Sequence, residues 1–442
     1  MIPEWVAEEL KTVDLGDKRC DKRFKRVLAE FATQPTISIP AAVGGGRAET
    51  EAAYRFFEND HFDFGDVLTP HCDATLERIR AEKLIVLAQD TTEMDVTRPQ
   101  QQVQDAGPLD AGSRRGSFLH EVHAFTETGL SIGTVAAQVW ARTDLPRSAE
   151  DKALREKQRK QTPIEDKESY RWVEGMHRAH LVAAQAPNTE VVLVSDSEGD
   201  IYEMLDAAQF PETQSEPTSD ESGVAPPRAH FIVRACQDRA LQPANVPENP
   251  WSEEDGTAAE CFTTILPKVA AGPVLDTYEV QIRGRESKVS CETRGRRQAR
   301  QSRTGIVEVR ACSVILQPPP RPDRKLPAVK LNVVFVREVN PPAGEEPVDW
   351  LLLTTLPIDT LQAVMRVIEI YKVRWQIEIF FRVLKQGCRL EARRFETLDN
   401  FWHYLAVALV ISWRTMYLMR MGRDFPEMSC DCVFEVSEWK SV

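Results

Sequence analysis

The sequence lacks the features that mark several classes of protein. It has no CxxC pair, and its nine cysteines are irregularly spaced over 442 residues, which argues against a zinc ribbon or a disulfide framework. Its start, MIPEWVAEELKTVDL, lacks the long apolar stretch of a secretory signal. The longest apolar run near the end, LAVALVISW, is shorter than the roughly 20 residues that span a bilayer. We therefore expect a cytoplasmic protein without a membrane segment.

The sequence also lacks an excess of positive charge. It has 55 Lys and Arg against 68 Asp and Glu, a net charge of −13, and this sum alone argues against nucleic acid as a partner. Basic residues are nevertheless concentrated in RGRESKVSCETRGRRQARQSR, at 283–303. Because binding depends on where basic residues cluster, the acidic average does not exclude DNA.

The first 70 residues have a helical pattern. In LGDKRCDKRFKRVLAEF, the apolar residues Phe24, Val27, Leu28 and Phe31 keep a helical spacing, and Lys and Arg crowd the same segment. This pattern predicts a helix with an apolar face and a basic remainder. The basic residues either form a solvated surface or contact phosphates, and the segment alone leaves both interpretations open.

Strands alternate with helix-like sequence in the next part of the chain. LIVLAQDTTEMDV begins with a buried strand at Leu84, two β-rich stretches flank Gly129, and EVVLVSDSEGD supplies a further buried strand at 191–194. The charge-rich sequence over 143–190 is helix-like. This mixture predicts an α/β core.

The second half of the chain has three further regions. PETQSEPTSDESGVAPP, at 211–227, is acidic and of low complexity, which is typical of a loop. Short apolar runs over 230–339 predict a separate β-rich insertion. The sequence over 359–385 predicts one long helix, whose first turn Asp359 or Thr360 can cap.

Three acids occupy positions that suit a metal site. Asp90 and Asp196 follow two predicted buried strands, and Glu378 lies in the middle of the predicted long helix. If these elements meet, three carboxylates provide the hard oxygen ligands that Mg²⁺ or Mn²⁺ prefers. Two such ions can activate water and stabilise the leaving oxygen in phosphodiester cleavage. The alternative is that each Asp is a turn or helix-capping residue.

A polar stripe accompanies Glu378 on the predicted helix. Its members are spaced three, four, four and three residues apart: Tyr371, Arg374, Glu378, Arg382 and Lys385. The stripe is either a ladder of surface ion pairs or an acid flanked by cations, as a metal-and-phosphate site requires. Spacing alone does not decide between them.

Two other pairs could suggest metal ligands. His120 and His123 in FLHEVHAF are interpreted as residues on the surface of a strand, because no third ligand has a matching spacing. Cys430 and Cys432 are equally unsupported as ligands.

The sequence resembles the bacterial cut-and-paste DDE transposases of the transposon Tn-five type, within the IS-four group of insertion sequences. The resemblance rests on Asp90 in LAQDTT, Asp196 in VSDSEGD, Trp350 in NPPAGEEPVDWLLLT, and the signature Y-x2-R-x3-E-x6-K from Tyr371 to Lys385. It runs from LGDKRCDKR through AAYRFFEN to about residue 400, which is most of the chain.

The resemblance implies a ribonuclease-H-like catalytic core interrupted by a β-rich insertion. The implied domains are a helical DNA-binding domain at 1–70, the core at 71–228 and 350–400, the insertion at 229–349, and the start of a helical dimerisation domain at 401–442. Related transposases continue beyond this point, so the chain is expected to be truncated, mainly monomeric without DNA, and weak in full transposition.

The resemblance also implies roles for individual residues. Asp90, Asp196 and Glu378 match the metal ligands of that family, with Mg²⁺ or Mn²⁺ as the cofactor. The residues implied to hold DNA phosphates at the transposon end are Tyr371, Arg374 and Lys385, with Trp350 and Trp375 near a flipped base. Further contacts to transposon-end DNA are implied for Arg23, Arg55, Arg234 and Arg394.

The implied activity is cleavage at transposon ends through a hairpin intermediate, followed by strand transfer into target DNA. The implied partners are double-stranded DNA and a second copy of the chain on that DNA, at the bacterial nucleoid in the cytoplasm. No Ser or Cys nucleophile motif suggests a covalent enzyme intermediate instead. Two alternatives stay open, namely a ribonuclease-H-like nuclease that does not transpose, and a DNA-binding remnant or inhibitor.

Overall fold

The computed structural model describes residues 2–97, 103–110, 113–143, 158, 161–209, 226–242, 262–282, 284, 301–345 and 347–435. The chain divides into two compact units. The first unit consists of Met1–Arg147, Gln185–Glu190 and Trp375–Val442, and the second consists of Ser148–Ala184 and Val191–Arg374. Most of the predicted loop at 211–227 and of the basic segment at 283–303 lies outside the described residues.

The first unit opens with helices, as predicted. They are α1 (Glu4–Glu9), α2 (Lys18–Thr33), α3 (Ile39–Ala42), α4 (Arg47–Phe57) and α5 (Phe64–Arg80). Asp17 caps α2 by accepting a hydrogen bond from the backbone N–H of Arg19 at 2.8 Å. The predicted apolar face of α2 is buried, and Phe24 stacks on Phe56 of α4 with ring centroids 5.6 Å apart. Packing of this face stabilises α2 more than its intrinsic propensity does.

Antiparallel strands follow in the first unit. They are β1 (Leu84–Asp95), β2 (Gly107–Pro108), β3 (Arg115–Thr126) and β4 (Ser131–Trp140). β3 lies between β1 and β4, and β2 pairs with the start of β3. Gly129 has a φ of 83° in the turn between β3 and β4, a left-handed conformation that glycine adopts at little cost. The predicted pair of strands around Gly129 is confirmed.

The middle of the chain forms four further helices among its described residues, together with six strands. The helices are α6 (Arg171–Gln185), α7 (Tyr202–Ala207), α8 (Ile265–Ala271) and α9 (Leu361–Val373). The strands are β5 (Glu190–Ser195), β6 (His230–Arg234), β7 (Asp276–Ile282), β8 (Arg303–Leu316), β9 (Val329–Val339) and β10 (Asp349–Thr354). Short 3-10 helices lie at Ile164–Asp166, Glu168–Tyr170 and Ser197–Gly199.

These six strands are arranged in the order β5-β6-β10-β9-β8-β7. β5 and β6 run parallel, and each of the other neighbouring pairs is antiparallel. The strands predicted over 230–339 are present and continue one sheet with β5, and their assignment to an insertion stays a prediction. β6 pairs directly with β5 through backbone hydrogen bonds, a long-range choice that a local apolar pattern does not encode.

The chain then returns to the first unit. α10 (Trp375–Arg382) is followed by a π-helical turn at Val383–Gly387, a 3-10 helix at Leu390–Ala392 and α11 (Leu398–Asp424). α11 packs against α5 and β4. Within the described ranges, no helix combines the length and the apolar character that a membrane crossing requires.

The predicted long helix at 359–385 is interrupted. Thr360 caps its start, as expected, by accepting a hydrogen bond from the backbone N–H of Ala363 at 3.1 Å. The helix breaks at Arg374, whose N–H bonds to the carbonyl of Tyr371, three residues back, at 3.1 Å. A bond to the third residue back belongs to the tighter 3-10 pattern, so α9 and α10 are separate helices.

Candidate functional site

Asp196 lies directly after β5, as predicted. Its side chain caps the 3-10 helix at Ser197–Gly199 and accepts a hydrogen bond from the backbone N–H of Glu198 at 2.8 Å. β5 and β6 are parallel, with Ser195 opposite Val233, so Asp196 and Arg234 follow these paired residues at the same edge of the sheet. Asp196 is thus a capping residue that also lies beside a cation of the neighbouring strand.

A group of predicted site residues meets around Tyr371 in the second unit. We call Asp196, Arg234, Trp350, Tyr371 and Arg374 the Tyr371 cluster. Only 6% of Tyr371 is exposed, and its ring lies 6.0 Å from that of Trp350, measured between centroids. Burial raises the pKa of the Tyr371 hydroxyl; Arg374 and Arg234 oppose that shift, and Asp196 adds to it.

The sheet register explains how residues from separate elements reach this cluster. Arg234 in β6 lies opposite Leu352 in β10, two residues from Trp350 on the same strand. Arg234 Nη2 lies 3.4 Å from the Oγ of Ser197, in the 3-10 helix that Asp196 caps. An acid, two cations and two aromatic rings are therefore neighbours in the folded second unit.

Asp90 is placed differently from the prediction. It lies in the middle of β1 and not at the end of a strand, because β1 continues through Asp95 and stays paired with β3. The buried apolar run ends before Asp90, but backbone pairing does not require apolar side chains. Asp90 Oδ1 accepts a hydrogen bond from the backbone N–H of Thr91 at 2.7 Å.

Glu378 lies in the first turn of α10, not in the middle of a long helix. α10 packs against β1, the strand that carries Asp90, and both belong to the first unit. Trp375, the first residue of α10, is 45% exposed. The surface of α10 therefore presents an aromatic ring to solvent, and Glu378 itself is half-buried.

Lys385 lies in the π-helical turn, so the predicted stripe does not continue on regular α-helix. Its Nζ lies 3.8 Å from Oε1 of Glu391, which also accepts a hydrogen bond from the backbone N–H of Asp95 at 3.1 Å. Burial lowers the pKa of Lys385, and Glu391 and Glu93 oppose that shift. The amine thus lies near acids of the first unit and near Arg114.

The three predicted metal ligands are divided between the units. Asp90 and Glu378 belong to the first unit and Asp196 to the second. In the parts of the chain that the structure describes, no group of three or more His, Cys, Asp or Glu residues could hold a metal ion. Three carboxylates are nevertheless the donor set that a hard divalent cation prefers. Their assignment to one metal site stays a prediction.

The predicted DNA-contacting arginines outside the Tyr371 cluster differ in their surroundings. Arg23 of α2 forms an ion pair with Glu49 at 2.9 Å, and Arg55 lies 3.7 Å from Glu51. Arg394 is exposed, whereas its neighbour Arg393 is only 7% exposed. Their roles in DNA binding stay predictions.

Arg393 is a residue that the sequence pattern did not single out. Its guanidinium donates hydrogen bonds to the carbonyls of Pro35, at 2.6 Å, and of Ile37 and Cys388. It therefore fastens the segment between α2 and α3 to the chain preceding α11. Two consecutive arginines look alike in a sequence, and only packing shows which one is inside.

The interpretation of His120 and His123 as strand-surface residues is wrong. They lie three residues apart on β3, so they face opposite sides, and both are buried. His120 Nδ1 bonds to Thr91 Oγ1 at 2.9 Å, whereas His123 Nδ1 bonds to Glu121 Oε1 at 2.7 Å. Both faces of β3 are covered in the fold, which alternation along one strand did not reveal.

Comparison with known proteins identifies two domains. Residues 2–62 match the transposase DNA-binding family, and residues 227–413 match the transposase DDE domain. Among solved structures, the chain is similar to the piggyBac transposase synaptic complex with hairpin DNA, determined by cryo-electron microscopy. The identity is 9% and the TM-score 0.36, over 95% of this chain and 72% of that chain.

These matches cover much of the predicted site. The DDE match contains Arg234, Glu378 and the other residues from Trp350 to Arg394, and the DNA-binding match contains Arg23 and Arg55. The fold class is α/β with a ribonuclease-H-type core and a helical N-terminal region, as predicted. DDE domains generally use divalent metal ions, and the DNA-binding match supports DNA as the partner. The chain is thus similar to transposases in two regions, the transposase DNA-binding family at 2–62 and the transposase DDE domain at 227–413.

Proposed function

We propose that this chain is a transposase of the transposon Tn-five type that cuts DNA at transposon ends through a hairpin intermediate. The observation that carries the proposal is the Tyr371 cluster. It brings an acid, two guanidinium groups and two aromatic rings together from separate elements of the second unit. Plain hydrolysis of DNA needs the acid, whereas the cations and rings suit a strand held in a bent shape.

The two kinds of side chain in the cluster serve different parts of the DNA. Arg234 and Arg374 are cations that can bind phosphate oxygens, in bidentate fashion for a guanidinium. Trp350 offers a ring on which an unstacked base can lie, and such stacking contributes about 1–3 kcal/mol per base. Because a hairpin forces a base out of the stack at a cost of a few kcal/mol, this stacking offsets part of the cost.

Asp90, Asp196 and Glu378 would hold one or two Mg²⁺ or Mn²⁺ ions. When bound, such ions supply activation of water and stabilisation of the leaving oxygen. The protein's part is to hold three carboxylates, to place Tyr371 and its arginines against phosphates, and to receive the flipped base. Lys385, Trp375 and the arginines at positions 23, 55 and 394 would extend the contacts to transposon-end DNA.

The proposed reaction has three phosphoryl transfers before target joining. Water attacks the phosphodiester at the transposon boundary and releases a 3′-hydroxyl. This hydroxyl attacks the opposite strand, which expels the flanking DNA and leaves a hairpin end. A second water reopens the hairpin, and the restored 3′-hydroxyl then attacks target DNA. Two copies of the chain on paired ends would complete the assembly.

A gel assay tests this proposal. The chain is incubated with Mg²⁺ and a labelled DNA duplex that carries the inverted repeat flanking the gene for this chain. Hairpins are the expected product. Nicks without hairpins would indicate a nuclease, and a mobility shift without cleavage would indicate a DNA-binding remnant or inhibitor. Either of these results would overturn the proposal.

Asp196→Asn is the sharpest variant for this assay. Its amide oxygen can still accept the hydrogen bond from the Glu198 N–H, so the cap is retained while the negative charge is lost. The expected result is loss of cleavage with end binding intact. The matched control is Glu198→Gln, which removes an exposed charge from the same turn. Normal cutting by Asp196→Asn would contradict a role for Asp196 as a metal ligand.

A further inference from the structure

Asp90 has an acidic neighbour across the β1–β3 pair. The Cα atom of Asp90 lies directly opposite that of Glu121. Opposed residues of an antiparallel pair point to the same face, with Cβ atoms about 4.5–5.5 Å apart. Glu121 is fully buried. A carboxylate that solvent does not reach therefore lies beside a candidate metal ligand.

Glu121 fixes the orientation of another buried side chain. Its Oε1 accepts hydrogen bonds from His123 Nδ1 at 2.7 Å and from Thr134 Oγ1 at 2.8 Å. Since a carboxylate oxygen only accepts, Nδ1 carries a proton. The other ring nitrogen, Nε2, shares a hydrogen bond with Ser131 Oγ at 2.7 Å. The His123 ring therefore cannot turn without breaking two hydrogen bonds.

The His123 ring in turn contacts the helix that carries Glu378. Its centroid lies 4.3 Å from that of Phe380, a fully buried residue of α10. Phe380 follows Glu378 by two positions, and α10 also packs against β1. The His123 ring is therefore part of the packing between α10 and β3.

One carboxylate oxygen of Glu121 lowers the stability of the folded chain. Its Oε2 is buried and has no hydrogen-bond partner among the described residues. A buried carboxylate oxygen without a partner is destabilising, and an apolar pair would pack at this place without that cost. Natural proteins keep such local conflicts mainly at functional sites.

We propose that Glu121 and His123 are positioning residues that fix the separation of Asp90 on β1 and Glu378 on α10. Glu121 orients the His123 ring, and the ring supports α10 through Phe380. This inference rests on the proposed function, because it takes Asp90 and Glu378 as metal ligands. Neither Glu121 nor His123 binds the ion itself.

The test compares His123→Phe with a matched control on the same strand. Phe retains a ring against Phe380 but removes both hydrogen bonds that orient it. His120→Phe makes the same chemical change three residues away, at a buried histidine on the opposite face of β3. Two quantities are measured: the affinity of the DNA-free chain for Mn²⁺, by electron paramagnetic resonance of the free ion, and the Mn²⁺-dependent nicking rate on end DNA.

His123→Phe is expected to weaken Mn²⁺ binding and to slow nicking by about 10- to 100-fold each, as loss of supporting residues does at other metal sites. Affinity for end DNA should not change, and His120→Phe should change neither Mn²⁺ binding nor nicking. Equal Mn²⁺ affinities of the His123→Phe and unsubstituted chains would overturn the inference. If His123→Phe does not fold, Ser131→Ala removes only the bond to Nε2, and unchanged Mn²⁺ affinity in that variant would overturn it equally.

Failure of the proposed function gives a different pattern. In that case the unsubstituted chain does not cut end DNA, or Asp90→Asn cuts it as well as the unsubstituted chain does. If cutting is normal and Asp90→Asn abolishes it, but His123→Phe behaves like His120→Phe, only the positioning role is refuted. If the unsubstituted chain neither cuts nor binds Mn²⁺, both proposals are refuted.

Discussion

The ring of Tyr371 meets the ring of Trp350 edge to face, with centroids 6.0 Å apart and planes inclined at 65°. Such aromatic pairs contribute about 0.5–1.5 kcal/mol beyond the burial of their surface. Tyr371 is buried and Trp350 is half-buried, so the pair joins the interior of the second unit to its surface. The contact connects an aromatic surface to the charged groups of the Tyr371 cluster.

Trp350→Ala is expected to slow hairpin formation more than the first nick. Only the hairpin requires a base to leave the stack, and loss of a stacking ring costs about 1–3 kcal/mol, or about 5- to 150-fold in rate. Single-turnover gels on end DNA separate the two steps. Trp140→Ala, at a half-buried tryptophan at the end of β4, is the control. Equal slowing of both steps by Trp350→Ala would contradict the flipped-base role.

Tyr371→Phe separates the hydroxyl of Tyr371 from its ring. Because burial raises the pKa of this hydroxyl, it stays protonated at neutral pH and can donate a hydrogen bond to a phosphate. Phe retains the contact with Trp350 and removes the donor. We expect end-DNA affinity to fall by about 0.5–1.5 kcal/mol, with the melting temperature nearly unchanged. Unchanged affinity in a filter-binding titration would argue against a phosphate contact.

Arg393→Ala and Arg394→Ala should behave as opposites. Arg393 serves three backbone carbonyls in the interior, so its loss should lower the free energy of unfolding by about 2–4 kcal/mol. Arg394 is exposed, so its loss should change stability by less than about 0.5 kcal/mol. If Arg394 contacts a DNA phosphate, Arg394→Ala should also weaken the salt dependence of DNA binding. The slope of the logarithm of the binding constant against the logarithm of the salt concentration should fall in magnitude by about one. Denaturant titration of both variants tests the predicted difference in stability. DNA binding measured at several salt concentrations tests the phosphate contact, and an unchanged slope in Arg394→Ala would contradict that contact.

The buried side chain of His180 is expected to make the stability of the second unit depend on pH. It is buried, with Nδ1 accepting from the backbone N–H of Ala229 and Nε2 bonding to the carbonyl of Ala207, each at 3.2 Å. Burial lowers the pKa of His180 to about 4, against 6.5 for the unperturbed side chain. The unfolded chain therefore binds a proton before the folded chain does, and stability present above pH 6.5 is lost as the pH falls towards 4. The loss amounts to about 3 kcal/mol at most.

His180→Gln tests this pH dependence. Its amide can accept from Ala229 and donate to Ala207 without titrating, so unfolding measured between pH 7 and pH 4 should become less dependent on pH. His177→Gln, on the same helix α6, leaves His180 intact and is the control. A pH dependence that is the same in His180→Gln and the unsubstituted chain would assign the acid sensitivity to other groups.

The sequence predicts where helices and strands occur better than it predicts the residues at which they end. The spacing of Phe24, Val27, Leu28 and Phe31 predicted the buried face of α2, because helical periodicity is a local property of the chain. The apolar run does not predict the end of β1, since backbone pairing with β3 continues past the apolar residues. The single helix at 359–385 was also wrong, because a break at Arg374 leaves the apolar period unchanged.

The sequence by itself determined which residue types were available for chemistry: acids after apolar runs, the Y-x2-R-x3-E-x6-K signature, and a basic helix near the start. Only the tertiary structure decided that Asp196, Arg234, Trp350 and Tyr371 are neighbours, that Arg393 is inside while Arg394 is outside, and that the His123 ring contacts Phe380 of α10. The reason is physical. Periodicity and capping depend on residues a few positions apart, whereas these contacts depend on strand order, register and packing between segments far apart in the chain.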